Sequence, residues 1–206
     1  MTVTDVNVVK SAIFERPDDA NKGTLGSLLC VCGSYGMAGA AVMSAKGALR
    51  TGIGLAKCAL PRSIYPIVAQ TILESVYYPL SENADGRISK VNVPFLVSES
   101  CKSSATLVGC GLGVCDDTLK IVFSLIENST TPLVLDADAL NCVAKQPEIL
   151  LRKKAPIIIT PHPGEMSRLT GLATPLVNAE RERVALDFAQ KYGVVTVLKG
   201  AGSVIA

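Results

Sequence analysis

Aromatic residues are scarce in this chain, at 4%, and tryptophan is absent, so any core must be assembled from aliphatic and small side chains. With 49% hydrophobic and 18% charged residues, the composition is that of an α/β globule and not of a disordered chain. An excess of charge of one sign is also lacking. Twenty Lys and Arg against 18 Asp and Glu leave a net charge of +2, too weak a field to hold a polyanion by counterion release, and no nucleic acid partner is expected. The longest basic run, Arg152-Lys153-Lys154, lies just before Ile157-Ile158-Ile159 and reads as a solvated helix end at the surface.

Paired cysteines are missing too. Cys30, Cys32, Cys58, Cys101, Cys110, Cys115 and Cys142 make an odd set of 7 without a C-x-x-C pair, mostly in or beside apolar segments. That argues against a disulfide framework or a zinc site and predicts buried free thiols in a reducing compartment. Met1 to Lys10 lacks the charged-then-apolar pattern of a signal peptide, and no uninterrupted apolar run approaches membrane length. A cytoplasmic protein with no membrane partner is expected. There is no internal repeat or low-complexity tract, and 206 residues suit a single domain, read here as spanning 1–206.

What is present is an alternation of short aliphatic runs and helical patterns, each run ending at a Gly, Pro or Asp cluster. This predicts an α/β fold with a mostly parallel sheet covered by helices. The candidate strands are Leu28 to Val31, Leu55 to Leu60, Thr106 to Val108, Leu133 to Leu135, Ile157 to Thr160 and Val194 to Leu198. Leu119, Val122, Phe123 and Ile126 recur at helical spacing, as do Val184, Phe188 and Tyr192 behind Asn178 as a candidate N-cap. Ala38 to Arg50, rich in Ala, Gly and Ser, predicts a helix able to approach the sheet or a ligand closely. Tyr77 to Asn92, with Pro79, Asn83, Asp85 and Gly86, reads as a surface connection.

In open α/β sheets ligands bind beyond the carboxyl ends of the strands, and here those positions carry the polar and glycine-rich segments. Gly33 to Ala40 is a glycine-spaced turn opening into the small-residue helix, equally an anion site at a helix N-terminus or a tight turn without a ligand. Gly109 to Gly113 permits close backbone approach to a ligand or makes a tight strand-to-helix connection, with Asp116 and Asp117 as helix caps. Asp136 and Asp138 offer a carboxylate pair for Mg²⁺ or a hydroxyl, or else one cap and one solvated acid. Thr160-Pro161-His162-Pro163-Gly164-Glu165 presents the one histidine of the chain. Its stiff proline-flanked loop favours a binding role, without the partners of a metal site or hydrolase triad. Lys199-Gly200-Ala201-Gly202-Ser203 combines a cation with glycines whose N–H groups can converge on a phosphate, in an order unlike a Walker loop; a β-hairpin turn is the alternative.

In this order, Lys22-Gly23, Gly33 to Ala41, Asp85-Gly86-Arg87, Gly109 to Gly113, the Leu-Asp-Ala-Asp-Ala-Leu-Asn string at 135–141, the Thr-Pro-His-Pro-Gly-Glu string at 160–165 and Val197 to Ser203 resemble the ADP/ATP-dependent NAD(P)H-hydrate dehydratase family of the ribokinase-like superfamily. The resemblance implies a three-layer αβα sandwich. It implies a lyase that repairs hydrated NADH or NADPH by phosphorylating its hydroxyl from ADP or ATP with Mg²⁺, after which phosphate leaves and the double bond reforms. By resemblance, Ala40, Gly113 and His162 contact the hydrated dinucleotide, and Lys199, Gly200, Ala201, Gly202 and Ser203 hold the phosphates of the donor. Asp136, Asp138 and Glu165 are candidates for polar support. Family habit implies a homo-oligomer, a tetramer.

The sequence departs from the family pattern at Cys32, where relatives usually have a glycine, and at its end. Relatives continue with a second glycine-rich string ending in an aspartate that activates the substrate hydroxyl. The resemblance therefore implies that this base lies beyond Ala206, that the C-terminal portion of the fold is missing and that Val204-Ile205 is cut off within a strand or hairpin needing a partner. The alternatives are a ribokinase-like kinase acting on a vitamin-precursor alcohol, a thiazole or pyrimidine, and a non-catalytic nucleotide-binding module.

Overall fold

The computed structural model describes residues 17–206 together with Asn7, Val9 and Lys10. Strands β1 (Ser27–Val31), β2 (Leu55–Pro61), β3 (Val76–Leu80), β4 (Ala105–Val108), β5 (Leu133–Leu135), β6 (Ile157–Ile159), β7 (Val195–Leu198) and β8 (Val204–Ile205) form an 8-stranded sheet in the order β3-β2-β1-β4-β5-β6-β7-β8. All neighbours from β3 to β7 are parallel, so their carboxyl ends share one edge. The β7–β8 pair is antiparallel.

Strand alternation divides the core between two faces. Leu29 and Val31 join one buried cluster with Val108, Leu135 and Ile159. Cys30 and Cys32 join a second with Ala56, Cys58 and Leu60. Side chains alternate across a pleated strand, so both faces are covered and the architecture is the three-layer α/β sandwich expected.

Over the second cluster lies α1 (Ala38–Arg50), whose Ala41 and Ala45, one turn apart, are buried. Short side chains let this helix sit close to β1 and β2. α2 (Tyr65–Ala69) completes that side with Val68. The other cluster receives α3 (Val93–Cys101), α4 (Asp116–Asn128), α5 (Asp138–Val143), α6 (Pro163–Thr170), α7 (Thr174–Ala179) and α8 (Arg181–Tyr192). In α4 the buried stripe is Ile121, Val122, Leu125 and Ile126, with Leu119 and Phe123 on its rim. In α8 it includes Val184, Phe188 and Tyr192, as their spacing predicts.

The structure corrects several expectations. The segment from Tyr77 is not all surface connection, because Val76–Leu80 pairs with β2. β3 is an edge strand, where the missing N–H of Pro79 costs no ladder bond to an outer neighbour. Asn178 does not cap α8 but lies within α7, whose early start is favoured by Pro175 in its first turn; α8 begins at Arg181. Asp116 and Asp117 lie in the first turn of α4 and do not cap it, a location that suits the helix dipole. In the run at 152–154, Arg152 ends a 3₁₀ turn at the surface, but Lys153 is half-buried and its Nζ donates to the Tyr192 carbonyl, 2.7 Å away, at the end of α8.

All the cysteines are free; Cys30, Cys32, Cys58 and Cys142 are buried, and Cys101, Cys110 and Cys115 are half-buried. Among the described residues no helix is long and apolar enough to cross a membrane.

Candidate functional site

From β1 the sheet grows one way through β2 and β3, and the chain then returns to β4 on the other side of β1. The carboxyl ends of β1 and β4 therefore flank a topological switch point, where α/β sheets open a crevice. Two glycine loops meet there. Gly33 N–H donates to the Cys110 carbonyl at 2.8 Å, and the buried Ser34 hydroxyl donates to the Gly111 carbonyl at 2.7 Å. Ala40 stands against the second loop, 2.7 Å from where a Cβ on Gly111 would lie. A third segment closes over them: Tyr35 N–H donates to the Gly86 carbonyl at 2.9 Å, and the Arg87 side chain lies along Gly113, its Nε 2.5 Å from where a Cβ would be.

The loop after β4 also touches the one after β5. Gly109 has φ +128°, and a Cβ there would lie 1.8 Å from the Asp136 carbonyl oxygen, so no larger residue fits. Asp138 Oδ2 accepts from Gly113 N–H at 2.8 Å. Between the two acids Ala137 has φ 50°, the one positive-φ non-glycine residue among those described, and its N–H donates to Asp136 Oδ1 at 2.8 Å. Such a conformation costs on the order of 1–3 kcal/mol and persists only where its surroundings over-determine it.

The remaining candidates form a second group one step along the same edge. Lys199 Nζ is 2.7 Å from Asp136 Oδ1 and 4.0 Å from Glu165 Oε2. Glu165, only 5% exposed, accepts from His162 N–H at 2.8 Å, while His162 Nδ1 accepts from the N–H groups of Gly164 at 3.0 Å and Glu165 at 3.3 Å. This is a capping box at the start of α6, with Pro163 in the first turn. The proline-flanked histidine thus has a structural task that its sequence context did not reveal. Its accepting Nδ1 assigns the ring hydrogen to Nε2, on an imidazole that is half-exposed.

Residues 199–203 join antiparallel β7 and β8, so the hairpin turn foreseen as an alternative is present. Lys199 N–H donates to the Pro161 carbonyl at 2.8 Å. Among the described residues, no group accepts from the N–H of Gly200, Ala201, Gly202 or Ser203. A hairpin turn and a run of free amides beside a cation therefore coincide, and such a run suits an anion.

Cys110 lies at the junction of the two groups, its thiol 3.8 Å from Asp136 Oδ2. A hydrogen bond from Cys32, opposed by burial and assisted by Ser44, brings its pKa down to about 7. The same contact, together with burial, drives Cys32 well above the ordinary thiol value.

The donors do not form a ready metal centre. Among the described residues no group of three or more His, Cys, Asp or Glu is placed to hold a metal ion. Asp136 is engaged by Lys199 and Asp138 by Gly113.

The structure thus brings Ala40, Gly113 and Asp138 into one group and His162, Glu165, Asp136 and Lys199 into another, joined through residues 136–138. Arg87, Cys110 and Arg181 were given no role from sequence. Arg87 sits in a string of turn formers, Cys110 between glycines and Arg181 in a charge-rich helix start. Arg181 did carry one signal: an arginine in the first turn opposes the helix dipole.

Residues 28–206 match the model of the family described as NAD(P)H-hydrate dehydratase. The bifunctional NAD(P)H-hydrate repair enzyme Nnr of Thermofilum pendens is 39% identical over 191 residues, 93% of this chain and 36% of that protein. The ADP-dependent (S)-NAD(P)H-hydrate dehydratase of Neisseria meningitidis is 31% identical over 194 residues, 93% of this chain and 61% of that protein. Among solved structures, the ADP/ATP-dependent NAD(P)H-hydrate dehydratase of Bacillus subtilis, co-crystallised with ATP and Mg²⁺, superposes with a TM-score of 0.79 at 29% identity, covering 97% of this chain and 67% of that one. The chain thus spans little more than a third of the length of the bifunctional relatives it matches.

Proposed function

The chain belongs to the NAD(P)H-hydrate dehydratase family, and on that premise we propose that it serves the ADP- or ATP-dependent dehydration of the S epimer of hydrated NADH or NADPH, restoring the reduced cofactor. The observation that carries this reading is the 2.7 Å ion pair between Asp136 and Lys199. It ties the glycine-lined crevice between β1 and β4 to the loop of free amides after β7, so that an acceptor hydroxyl in the first and a donor phosphate on the second would face each other across one sheet edge.

In this reading the hydrated dinucleotide contacts Ala40 and Gly113 at the crevice and extends along the edge to His162. Ala40 presents only a methyl group to the crevice, Gly113 carries the Arg87 side chain against its open face, and the half-exposed His162 ring has its Nε2 3.4 Å from Glu165 Oε1. Lys199 and the amides of Gly200, Ala201, Gly202 and Ser203 hold the donor phosphates. Phosphoryl transfer is accelerated mainly by positioning and by stabilising charge, which a lysine and oriented amides supply. Asp136 orients Lys199, Asp138 holds the Gly113 amide, and Glu165 secures the loop that presents His162. Mg²⁺, which usually keeps several waters and binds through phosphates and one or two carboxylates, is assigned to the nucleotide in place of a site built by this chain, and when bound it would neutralise phosphate charge.

The physiological form is a cytoplasmic homo-oligomer, a tetramer, acting on small molecules and not on nucleic acid. The free thiols support the compartment, and the exposed Ile67 and Leu73 near the β3 edge support contact between copies.

The test incubates the protein, expressed from its gene through to the natural stop, with hydrated NADPH, Mg²⁺ and ADP or ATP, following the near-ultraviolet absorbance of the restored dihydronicotinamide and the release of phosphate. The reading predicts both signals together. Phosphorylation without loss of water would identify a kinase, and ligand binding without turnover a binding module; either contradicts it.

A further inference from the structure

Arg181 opens α8, where a cation faces the positive end of the helix dipole and is disfavoured. Its contacts lie away from its own helix. One guanidinium nitrogen donates to the Leu198 carbonyl at 2.8 Å and to the Gly202 carbonyl at 3.3 Å, so a single side chain spans both ends of the loop between β7 and β8. Gly200, within that loop, lies on the guanidinium: a Cβ there would come within 2.7 Å of one terminal nitrogen, and the residue has φ +156°. The Arg181 Nε is buried without a hydrogen-bond partner among the described residues.

These contacts have a directional consequence. In a trans peptide the C=O and the following N–H point to opposite sides, and no described peptide bond is cis. With the Gly202 carbonyl turned toward Arg181, the Ser203 N–H is turned away from it. The same holds for Leu198, whose carbonyl faces Arg181 while the Lys199 N–H points elsewhere, to Pro161. The guanidinium therefore holds two carbonyl oxygens, groups that would repel an anion, on its own side and leaves the Ser203 amide hydrogen on the other. It also puts a permanent positive charge beneath the loop.

We propose that Arg181 is a positioning residue for the nucleotide donor, fixing the Lys199–Ser203 loop in the conformation that receives phosphate. The inference rests on the assignment of that loop to the donor, and it goes beyond that assignment in naming what shapes the loop. Lysine cannot replace arginine here, because a single ammonium on a flexible stem does not reproduce the planar fork that bridges two carbonyls and supports Gly200.

The experiment compares wild-type protein with Arg181→Gln, Arg181→Lys and Lys199→Ala by calorimetric titration with ADP·Mg²⁺ and, separately, with NADPH as a probe of the crevice. The expected result is a loss of ADP affinity of at least tenfold in Arg181→Gln, a smaller loss in Arg181→Lys, and NADPH affinity within twofold of wild type in both. Unchanged ADP affinity in Arg181→Gln, with Lys199→Ala impaired, overturns the role of Arg181 and leaves the loop assignment standing. Loss of ADP and NADPH binding together, or of the thermal unfolding transition, reduces Arg181 to a stabilising residue and also overturns the proposal. No ADP binding by wild type, or none of its affinity lost in Lys199→Ala, removes the loop assignment and the inference with it.

Discussion

Gly109 illustrates how single residues set this edge of the sheet. Its φ of +128° and the 1.8 Å that would separate an added Cβ from the Asp136 carbonyl forbid any side chain. Gly109→Ala must push the loop after β5 away, and we expect a loss of roughly 3 kcal/mol or more in urea unfolding, at the upper end of ordinary single substitutions. Cys110 makes a different prediction. The Cys32 hydrogen bond brings its pKa down to about 7, and the thiolate is the form that reacts. Iodoacetamide labelling of Cys110, read by mass spectrometry, should rise with pH through a midpoint near that value. Cys32→Ala removes the donor, so the midpoint should move upward; an unchanged midpoint would refute the assigned cause. An upward shift would give the departure at position 32, where the resemblance led one to expect glycine and a change of little consequence, a chemical effect within the site.

At the scale of elements, the best-read segments are those with both an apolar pattern and a stop signal. The runs at β1, β2, β4, β5, β6 and β7 lie within a residue or so of their expected bounds because each is aliphatic and ends at Gly, Pro or Asp. β3 escaped because Pro79 and the turn formers that follow it describe an edge strand in the same letters as a loop. Helix starts were harder, since Asn178 and the Asp116-Asp117 pair have capping chemistry but the caps fall at neighbouring residues, Glu180 for α8 and Cys115 for α4. The start of α6 was legible only in part: the Pro-His-Pro string marked a special loop, while its capping box needs the fold of the side chains back onto the backbone. That box gives a prediction. Glu165→Ala leaves the His162 N–H without its acceptor and should cost about 1–2 kcal/mol in chemical denaturation, the scale of a lost cap. Glu165→Gln, which retains an acceptor, should cost less.

For the whole molecule, the location of the site was visible in sequence and its internal wiring was not. Glycine loops at strand ends announce themselves locally, whereas the Asp136–Lys199 pair is 63 residues apart and the Arg181 bridge crosses from a helix start to a hairpin. Neither has a spacing that a linear pattern could reveal. The proposed function puts two ligands on adjoining parts of one edge, the dinucleotide at the switch point and the phosphoryl donor on the β7–β8 loop. Each should stabilise the fold by mass action, about 2.7 kcal/mol at a hundredfold excess over its dissociation constant. Thermal shift with either ligand should show that gain separately and with both ligands additively.

The most direct test of this two-site account is calorimetric titration of ADP·Mg²⁺ into protein already saturated with NADPH. The account predicts that ADP binds with an affinity equal to or greater than that for free protein, because the ligands occupy neighbouring, distinct parts of the edge. Competition between them, with ADP binding abolished at saturating NADPH, would mean a single nucleotide site and would contradict the account.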